Sequence, residues 1–170
     1  IILKLFLKIH FHQKEKLFHL FKKYNIPGLL LLSGDIHYGE ILQDNCTALG
    51  YPVYEITSSG MTHSCATQFP FCRYFLEHYM RSAYQVSDFY EFLNFGTLEI
   101  KWDEPNIPIR LQIRGESGHI EREQIISLTN LSPSAPVSPS SCPSFALPFY
   151  HNWNPHNMIP FILVFIFSIF

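Results

Sequence analysis

The chain has 170 residues, a length typical of one domain or of one domain with an appendage. Hydrophobic residues make up 47% of it and charged residues only 15%, which excludes a highly charged, intrinsically disordered chain. The formal net charge is −2, so the composition predicts no nucleic-acid binding, which usually needs a basic surface. Nine histidines leave room for metal or acid–base chemistry.

An amphipathic helix is predicted over residues 13–24, where apolar residues recur on one face with lysines between them. The turn-forming segment Asn25–Gly28 ends it. The unbroken apolar run Leu29–Ser33 follows, and a short run of this kind predicts a strand buried on both faces. No signal peptide is predicted, because lysines interrupt the apolar residues 1–9 and no cleavage-site pattern follows.

The rest of the predicted domain is a mixture of strands and a helix, so the fold class is α/β. A second strand is predicted at Tyr51–Thr57 and a helix at Phe71–Arg81. Three later segments alternate apolar and polar residues and are separated by turn residues, which predicts an antiparallel three-strand meander. These segments are Gly96–Asp103, Ile107–Arg114 and His119–Ile126.

The cysteines do not follow a zinc or redox spacing. Two disulfides would be possible in a secreted protein, but nothing in the cysteine spacing argues for them. Free buried thiols are the favoured interpretation. The four residues are Cys46, Cys65, Cys72 and Cys142. Of the large aromatic residues, Tyr54 and Trp102 are predicted to lie in the core.

The composition changes abruptly after about residue 130. Residues 1–130 are predicted to form the folded part, and residues 131–157 a disordered linker rich in serine and proline. Residues 158–170 form an apolar tail that is shorter than the ~20 residues of a membrane-spanning helix. The tail is a truncated membrane anchor, an interfacial segment or a non-native ending, and the abrupt change favours the last.

The first candidate for chemistry is Gly34–His37, directly after the first predicted strand. Ligand sites in open α/β sheets lie beyond the carboxyl ends of strands. In an extended segment Asp35 and His37 would point to the same side, and a carboxylate with an imidazole suits a divalent metal. The alternative is a capping aspartate beside a surface histidine, which spacing alone makes the commoner case.

The second candidate is the loop after the second predicted strand, which offers three hydroxyl groups beside a glycine: Thr57, Ser58, Ser59 and Gly60. Such loops hold phosphate or orient metal ligands, although an ordinary hydrogen-bonded turn is more common. His63 follows closely enough to approach the same strand ends. Asn94, before the meander, is a candidate to hydrogen-bond a loop near the site, or simply the turn that begins a strand.

The paired motifs Leu30–His37 and Ile56–His63 resemble the C-terminal half of alkaline phosphatase D-like (PhoD-like) metallophosphatases, of the calcineurin-like metallophosphoesterase superfamily. The preceding helix, the segments Tyr84–Asp88 and Asn94–Gly96, and the meander are similar to the neighbouring parts of that family. The resemblance covers roughly residues 12–128. Either motif alone is weak, but the pair in this order is fairly specific.

The resemblance implies the C-terminal portion of an α/β/β/α metallophosphoesterase sandwich with a metal centre at the strand ends. Gly34–His37 then takes the place of the superfamily's final Gly-His-x-His ligand motif. Asp35 replaces its first histidine and His37 matches its second, so each would bind one of two neighbouring metal ions. The implied cofactors are iron and calcium, or other divalent ions. The implied reaction is hydrolysis of a small-molecule phosphoester by a metal-activated hydroxide.

The superfamily's other ligand motifs lie N-terminal to this one and have no counterpart in the chain. Two ligand residues are too few for two metal ions, so we expect the chain alone to be inactive or nearly so. We also expect poor solubility, because an apolar strand such as Leu29–Leu32 without its neighbours aggregates readily. The main alternative is a non-catalytic β-sheet binding module, and a third is a protein that contacts membranes through its apolar tail.

Overall fold

The computed structural model describes residues 11–45, 47 and 49–133, with side chains from Lys16 onward. In this part of the chain the protein is mixed α/β, with two small three-stranded sheets. None of its helices is long and apolar enough to cross a membrane. The tail predicted at 158–170, most of the linker predicted at 131–157 and the apolar residues 1–9 lie outside the described residues.

Helix α1, Phe11–Lys23, confirms the predicted amphipathic helix. Phe18 is buried and belongs to the main core, and Phe21 packs against that core. The chain then turns through Asn25 and Gly28, both of which have left-handed backbone conformations with φ of 49° and 72°. The apolar stripe of α1 therefore supplies part of the core, as its periodicity predicts.

The first sheet has the strand order β1-β3-β2. β1 runs parallel to β3, and β2 runs antiparallel to β3. The strands are β1, Leu30–Ser33, β2, Gly39–Asp44, and β3, Val53–Ser58. β3 confirms the second predicted strand. β2 is absent from the sequence-based prediction because it is largely buried on both faces, so its polar residues do not alternate with its apolar ones.

The prediction that the first strand is buried on both faces is wrong. Within the described residues β1 lies at the edge of its sheet, and the side chain of Leu32 is 65% exposed. A run of leucines fits a central strand and an edge strand equally well, because burial depends on what packs against each face.

The second sheet has the antiparallel order β4-β5-β6, which confirms the predicted meander. Its strands are β4, Asn94–Ile100, β5, Pro108–Gly115, and β6, Ile120–Ser127. The inner face presents Ile109, Leu111 and Ile113, all of which are buried. These side chains share one hydrophobic core with Ile41 and Ile56 of the first sheet, so the two sheets pack face to face.

Two short helices lie between the sheets in sequence. Helix α2, Cys65–Gln68, is capped by Ser64, and helix α3, Cys72–Phe75, continues into a π-helical turn, Leu76–Met80. The helix predicted at Phe71–Arg81 is thus confirmed, whereas α2 is too short to produce a periodic signal.

A disulfide joins Cys65 of α2 to Cys72 of α3. The prediction of free thiols is therefore wrong for these two residues, because folding brings together side chains whose spacing carries no disulfide signature. The other two cysteines, Cys46 and Cys142, lie outside the described residues.

Arg73 of α3 connects the helical segment to the chain that leads into β4. Its guanidinium donates to the carboxylates of Asp88 at 2.6 Å and Glu91 at 3.2 Å, and to the backbone carbonyl of Phe89 at 3.1 Å. Arg122 of β6 donates to the same Phe89 carbonyl at 2.9 Å. The two arginines thereby attach residues 88–91 both to α3 and to the second sheet.

The two aromatic predictions have different outcomes. Tyr54 is buried in the main core, as expected. Trp102 is 65% exposed in the turn between β4 and β5, so its prediction as a core residue is wrong. That turn begins after Ile100, the last residue of β4, so Trp102 does not belong to the strand that was predicted to contain it.

Candidate functional site

The two candidate loops meet at one end of the first sheet. β1 and β3 are adjacent and parallel, so their carboxyl ends lie side by side, as an α/β ligand site requires. Ser33 and Thr57 are paired in register at these ends, and their hydroxyl oxygens are 2.5 Å apart. The loop Gly34–His37 leaves β1 at this point, and the loop beginning at Ser59 leaves β3.

Ser59 fixes the backbone of the Gly34–His37 loop. Its hydroxyl oxygen accepts hydrogen bonds from the backbone N–H groups of Ile36 and His37, each at 2.9 Å. The loops are so close that a Cβ atom at Gly34 would lie 3.3 Å from the Cβ atom of Ser59. Ser59 was predicted to lie on the substrate side or behind the metal ligands. In the structure, its hydroxyl holds the backbone of the first loop in place.

The Gly34–His37 loop is not extended. Asp35 and His37 both have left-handed backbone conformations, with φ of 67° and 57°. The expectation that they point to the same side because they are two residues apart in an extended segment is therefore wrong. The physical reason is that two successive N–H groups converge on one oxygen, which needs a tightly curved backbone. The Asp35 side chain is exposed and that of His37 is partly buried.

The ring of His37 is oriented by helix α2. Its Nδ1 atom is 3.1 Å from the amide oxygen of Gln68, and its backbone carbonyl accepts a hydrogen bond from the N–H of Cys65 at 2.6 Å. Because an amide oxygen only accepts, this contact places a proton on Nδ1, and in the neutral ring the lone pair is then on Nε2. Metal-binding histidines usually have such an acceptor behind the ring.

Gln68 contacts the candidate site although nothing in the sequence marks it as a site residue. It lies 31 positions from His37, and no local pattern connects an isolated glutamine to a loop so far away. The sequence feature that comes closest to predicting its position is Ser64-Cys-Ala-Thr67, a possible helix cap. This cap indicates a short helix just after His63, and Gln68 lies in that helix.

His63 lies beside His37, as predicted for a residue near the strand ends. The centroids of the two rings are 6.3 Å apart and their planes are inclined by 31°. The Nδ1 atom of His63 is 2.9 Å from the hydroxyl oxygen of Thr62. The His63 side chain is exposed, so its ring borders the site from the solvent side.

Asn94 holds the loop that follows β3. Its amide oxygen accepts from the hydroxyl of Ser58 at 2.7 Å and from the N–H of Gly60 at 3.4 Å, while its amide nitrogen donates to the carbonyl of Phe92 at 2.7 Å. Asn94 thus hydrogen-bonds the loop, as one interpretation expected, and it is the first residue of β4 rather than part of the turn before it. With only 2% of its surface exposed, it supports the site from inside the protein.

Buried acidic side chains lie on one face of the first sheet, next to the site. Glu40 pairs with Thr57 in register, and Glu55 lies two residues earlier on β3, so all three share a face. Both glutamates are almost completely buried. The Tyr38 hydroxyl donates to Glu40 at 3.5 Å, and the pKa of Tyr38 is raised, first by burial and then by the negative charge of Glu40. Tyr38 therefore stays protonated at neutral pH.

The described residues contain no group of three or more His, Cys, Asp or Glu side chains placed to hold a metal ion. Asp35 and His37 carry side chains whose chemistry is suitable for a metal ion. No family model, no curated protein and no solved structure matches the chain.

Proposed function

We propose that the chain is the C-terminal part of a metal-dependent phosphoester hydrolase of the alkaline phosphatase D type. The observation that carries this proposal is the contact of Ser59 with the Gly34–His37 loop. Ser59 and the loop residues that it contacts are 22 and 23 positions apart in sequence, and this contact joins the two motifs behind the family resemblance at the carboxyl ends of neighbouring strands. The face-to-face packing of two sheets supports the further proposal of a metallophosphoesterase sandwich.

Each site residue has a distinct part in the proposal. Asp35 and His37 are metal ligands. Gln68 orients the ring of His37, and Ser59 holds its backbone N–H group. Bound iron and calcium, or other divalent ions, would supply a hydroxide nucleophile and neutralise the phosphate charge. The remaining residues shape the wall of the site or contact the substrate: Thr57, Ser58, His63 and Asn94.

Two metal ions need more ligands than Asp35 and His37 provide. The proposal therefore assigns the other ligands to the N-terminal part of the hydrolase, where the superfamily has its remaining ligand motifs. It follows that the chain by itself should hydrolyse phosphoesters poorly or not at all. Turnover of a chromogenic phosphodiester that is metal-dependent and lost in Asp35→Ala would show that the chain carries a complete site, and would contradict this assignment.

Metal binding tests the ligand assignment directly. The probe is Mn²⁺, titrated into the purified chain and followed by electron paramagnetic resonance. Asp35→Asn and His37→Ala should each weaken binding, because each removes one donor. Asp103→Asn is the matched control, since Asp103 is an exposed carboxylate in the turn between β4 and β5. Equal Mn²⁺ affinity in all four proteins would refute the proposed metal ligands.

The second candidate function is a non-catalytic binding module, and β1 favours it. Within the described residues β1 is an edge strand with an exposed Leu32, and such an edge accepts an added strand from an extended peptide. Binding of this kind would not depend on metal. It should persist in the presence of a chelator and in Asp35→Asn, whereas metal-dependent chemistry should be lost under both conditions.

A further inference from the structure

We propose that Asn45 is the attachment site of an N-linked glycan, added as the chain enters the lumen of the secretory pathway. Asn45-Cys46-Thr47 has the Asn-x-Ser/Thr pattern that oligosaccharide transfer requires, with a residue other than proline in the middle. Because this pattern is common by chance, the disulfide and the position of Asn45 in the fold have to support the proposal. It does not depend on the proposed hydrolase function.

The disulfide between Cys65 and Cys72 indicates an oxidising compartment. Such bonds persist in secreted and luminal proteins and are rare in the cytosol, where thiols are kept reduced. Cys72 is buried in the second core cluster, so the bond belongs to the packed structure. N-linked glycans are added in an oxidising compartment of this kind. The disulfide and the acceptor pattern therefore point to the same environment.

The fold leaves the attachment atom of Asn45 accessible. Asn45 lies directly after the last residue of β2 and is partly exposed. Its amide oxygen accepts a hydrogen bond from the Nε2 atom of Gln43 at 2.7 Å. A glycan attaches to the amide nitrogen, Nδ2, and no described residue accepts a hydrogen bond from that nitrogen. The structural contact and the modification therefore use different atoms of the same side chain.

The transfer step keeps that hydrogen bond. The Nδ2 atom of Asn45 forms a bond to the anomeric carbon of the first sugar of a polyprenyl-diphosphate-linked oligosaccharide. The bond from that carbon to the diphosphate oxygen breaks, the diphosphate leaves with the electron pair, and Nδ2 loses one proton. Nothing is oxidised or reduced. The amide oxygen is unchanged, so it still accepts from Gln43 in the glycosylated chain.

Thr47 has one part before folding and another after it. In the unfolded chain its hydroxyl completes the acceptor pattern. In the folded chain the same hydroxyl donates to the backbone carbonyl of Tyr51 at 2.7 Å. Serine at this position would serve both parts, whereas alanine would serve neither.

The glycan would lie away from the candidate site. β2 pairs Gly39 with Ser58 at the strand ends that carry the candidate loops, and it pairs Asp44 with Val53 at the opposite end of the sheet. A strand rises about 3.4 Å per residue, so Asp44 lies about 17 Å from Gly39. A glycan on Asn45 therefore leaves the Gly34–His37 loop uncovered.

Asn130-Leu131-Ser132 is a second match to the acceptor pattern. Asn130 is exposed, and Leu131 is completely buried in the main core. Pro133 follows directly and restricts the backbone of Ser132, the residue whose hydroxyl the transfer needs. We therefore expect Asn45 to be the acceptor and Asn130 to serve as its matched control.

The test is translation of the full chain, behind a cleavable leader, into endoplasmic-reticulum microsomes. We expect a single increase in mass that peptide-N-glycosidase removes. This enzyme converts a glycosylated asparagine into aspartate, so peptide mass spectrometry should find aspartate at position 45. Asn45→Gln and Thr47→Ala should abolish the increase. Thr47→Ser and Asn130→Gln should retain it.

Transfer precedes folding, so misfolding of a variant does not account for loss of the glycan. An unshifted chain, or an increase in mass that survives Asn45→Gln, overturns the proposal. Peptide mapping of the same luminal chain without reductant should recover Cys65 joined to Cys72. Two free thiols at these positions would contradict the inferred compartment.

Discussion

The side chain of Ser59 holds the backbone of the neighbouring loop at the strand ends. Its hydroxyl is the shared acceptor for two backbone N–H groups, and the curved Gly34–His37 loop depends on that acceptor. Asn94 acts similarly on the next loop through Ser58 and Gly60. The side chains of Ser59 and Asn94 thus hold the backbone of the two loops, and the first of these loops carries the candidate ligands Asp35 and His37.

Replacing Ser59 tests this dependence. Ser59→Ala should lower the free energy of unfolding by about 1–3 kcal/mol, because two part-buried N–H groups lose their acceptor. Urea denaturation provides the measurement. Ser117→Ala is the control, since Ser117 is exposed in the turn between β5 and β6. A Ser59→Ala effect no larger than that of the control would show that water or another group replaces the hydroxyl.

At the scale of secondary-structure elements, the short helices α2 and α3 are important because α2 contacts His37. α2 has only four residues and would not be stable alone. The disulfide between Cys65 and Cys72 connects it to α3, and Cys72 is buried with Tyr38, Leu76 and Phe89 in a second core cluster. The position of the His37 ring therefore depends on the packing of this segment.

Breaking the disulfide should loosen this segment. A dithiol that reduces the Cys65–Cys72 bond should lower the free energy of unfolding by about 2–3 kcal/mol, the loop-closure contribution for a loop of this length. The His37 ring resonances should broaden as Gln68 moves away. The double variant Cys65→Ala/Cys72→Ala is the control, and its stability should not respond to the reductant. A response in the double variant would assign the effect to other cysteines.

The ion pair between Arg73 and Asp88 predicts a dependence of stability on pH. Burial alone would raise the pKa of Asp88, but the hydrogen bond and charge of Arg73 outweigh it and hold that pKa below its usual value. The unfolded chain therefore takes up this proton first as pH falls. The stabilising contribution is complete above about pH 4 and is lost as pH falls through the lower pKa of the folded state.

Unfolding measured by denaturant at several pH values tests this ion pair. The free energy of unfolding should decrease more steeply below about pH 4 in the unmodified chain than in Asp88→Asn, which has no proton to gain at this position. Asp103→Asn is the control, because Asp103 is exposed. Equal slopes for the chain and Asp88→Asn would contradict the assignment.

At the scale of the whole molecule, the close approach of the two sheets holds the site on its scaffold. Gly39 of β2 lies directly over Ile113 of β5, and a Cβ atom at Gly39 would be 2.7 Å from the Ile113 Cγ2 atom. Ile113 is completely buried. Any side chain at position 39 would push the sheets apart, and the strand ends that carry the site belong to the first of them.

A double-mutant cycle measures this packing. Gly39→Ala should destabilise the chain by about 1–3 kcal/mol through overpacking. Ile113→Ala should cost about 2–5 kcal/mol through the cavity that it creates. In the double variant the new methyl group occupies part of that cavity, so its cost should be less than the sum of the two. If the two losses in the free energy of unfolding are additive, the side chain of Ile113 and position 39 are not in contact, and the described packing is contradicted.

The predictions that succeeded are those in which a residue's neighbours in sequence determine its structure. Helix α1 and the meander follow from periodicity, and the two candidate loops follow from polar residues after apolar runs. The extended conformation expected for Gly34–His37 failed because Ser59, from another strand, curves that loop. The core position expected for Trp102 failed because side-chain type does not reveal where a sheet ends.

Local sequence patterns were enough to predict the helix, the strands with a clear alternation, and the residue types available at the site: Asp35, His37, Ser59, His63 and Asn94. Folding of the chain was needed to place β1 at a sheet edge among the described residues, to join Cys65 to Cys72, and to bring Gln68 and His63 beside His37. The two groups differ in the range of the interactions behind them. Periodicity and turn chemistry act over a few residues, whereas these contacts join residues that only chain folding brings together.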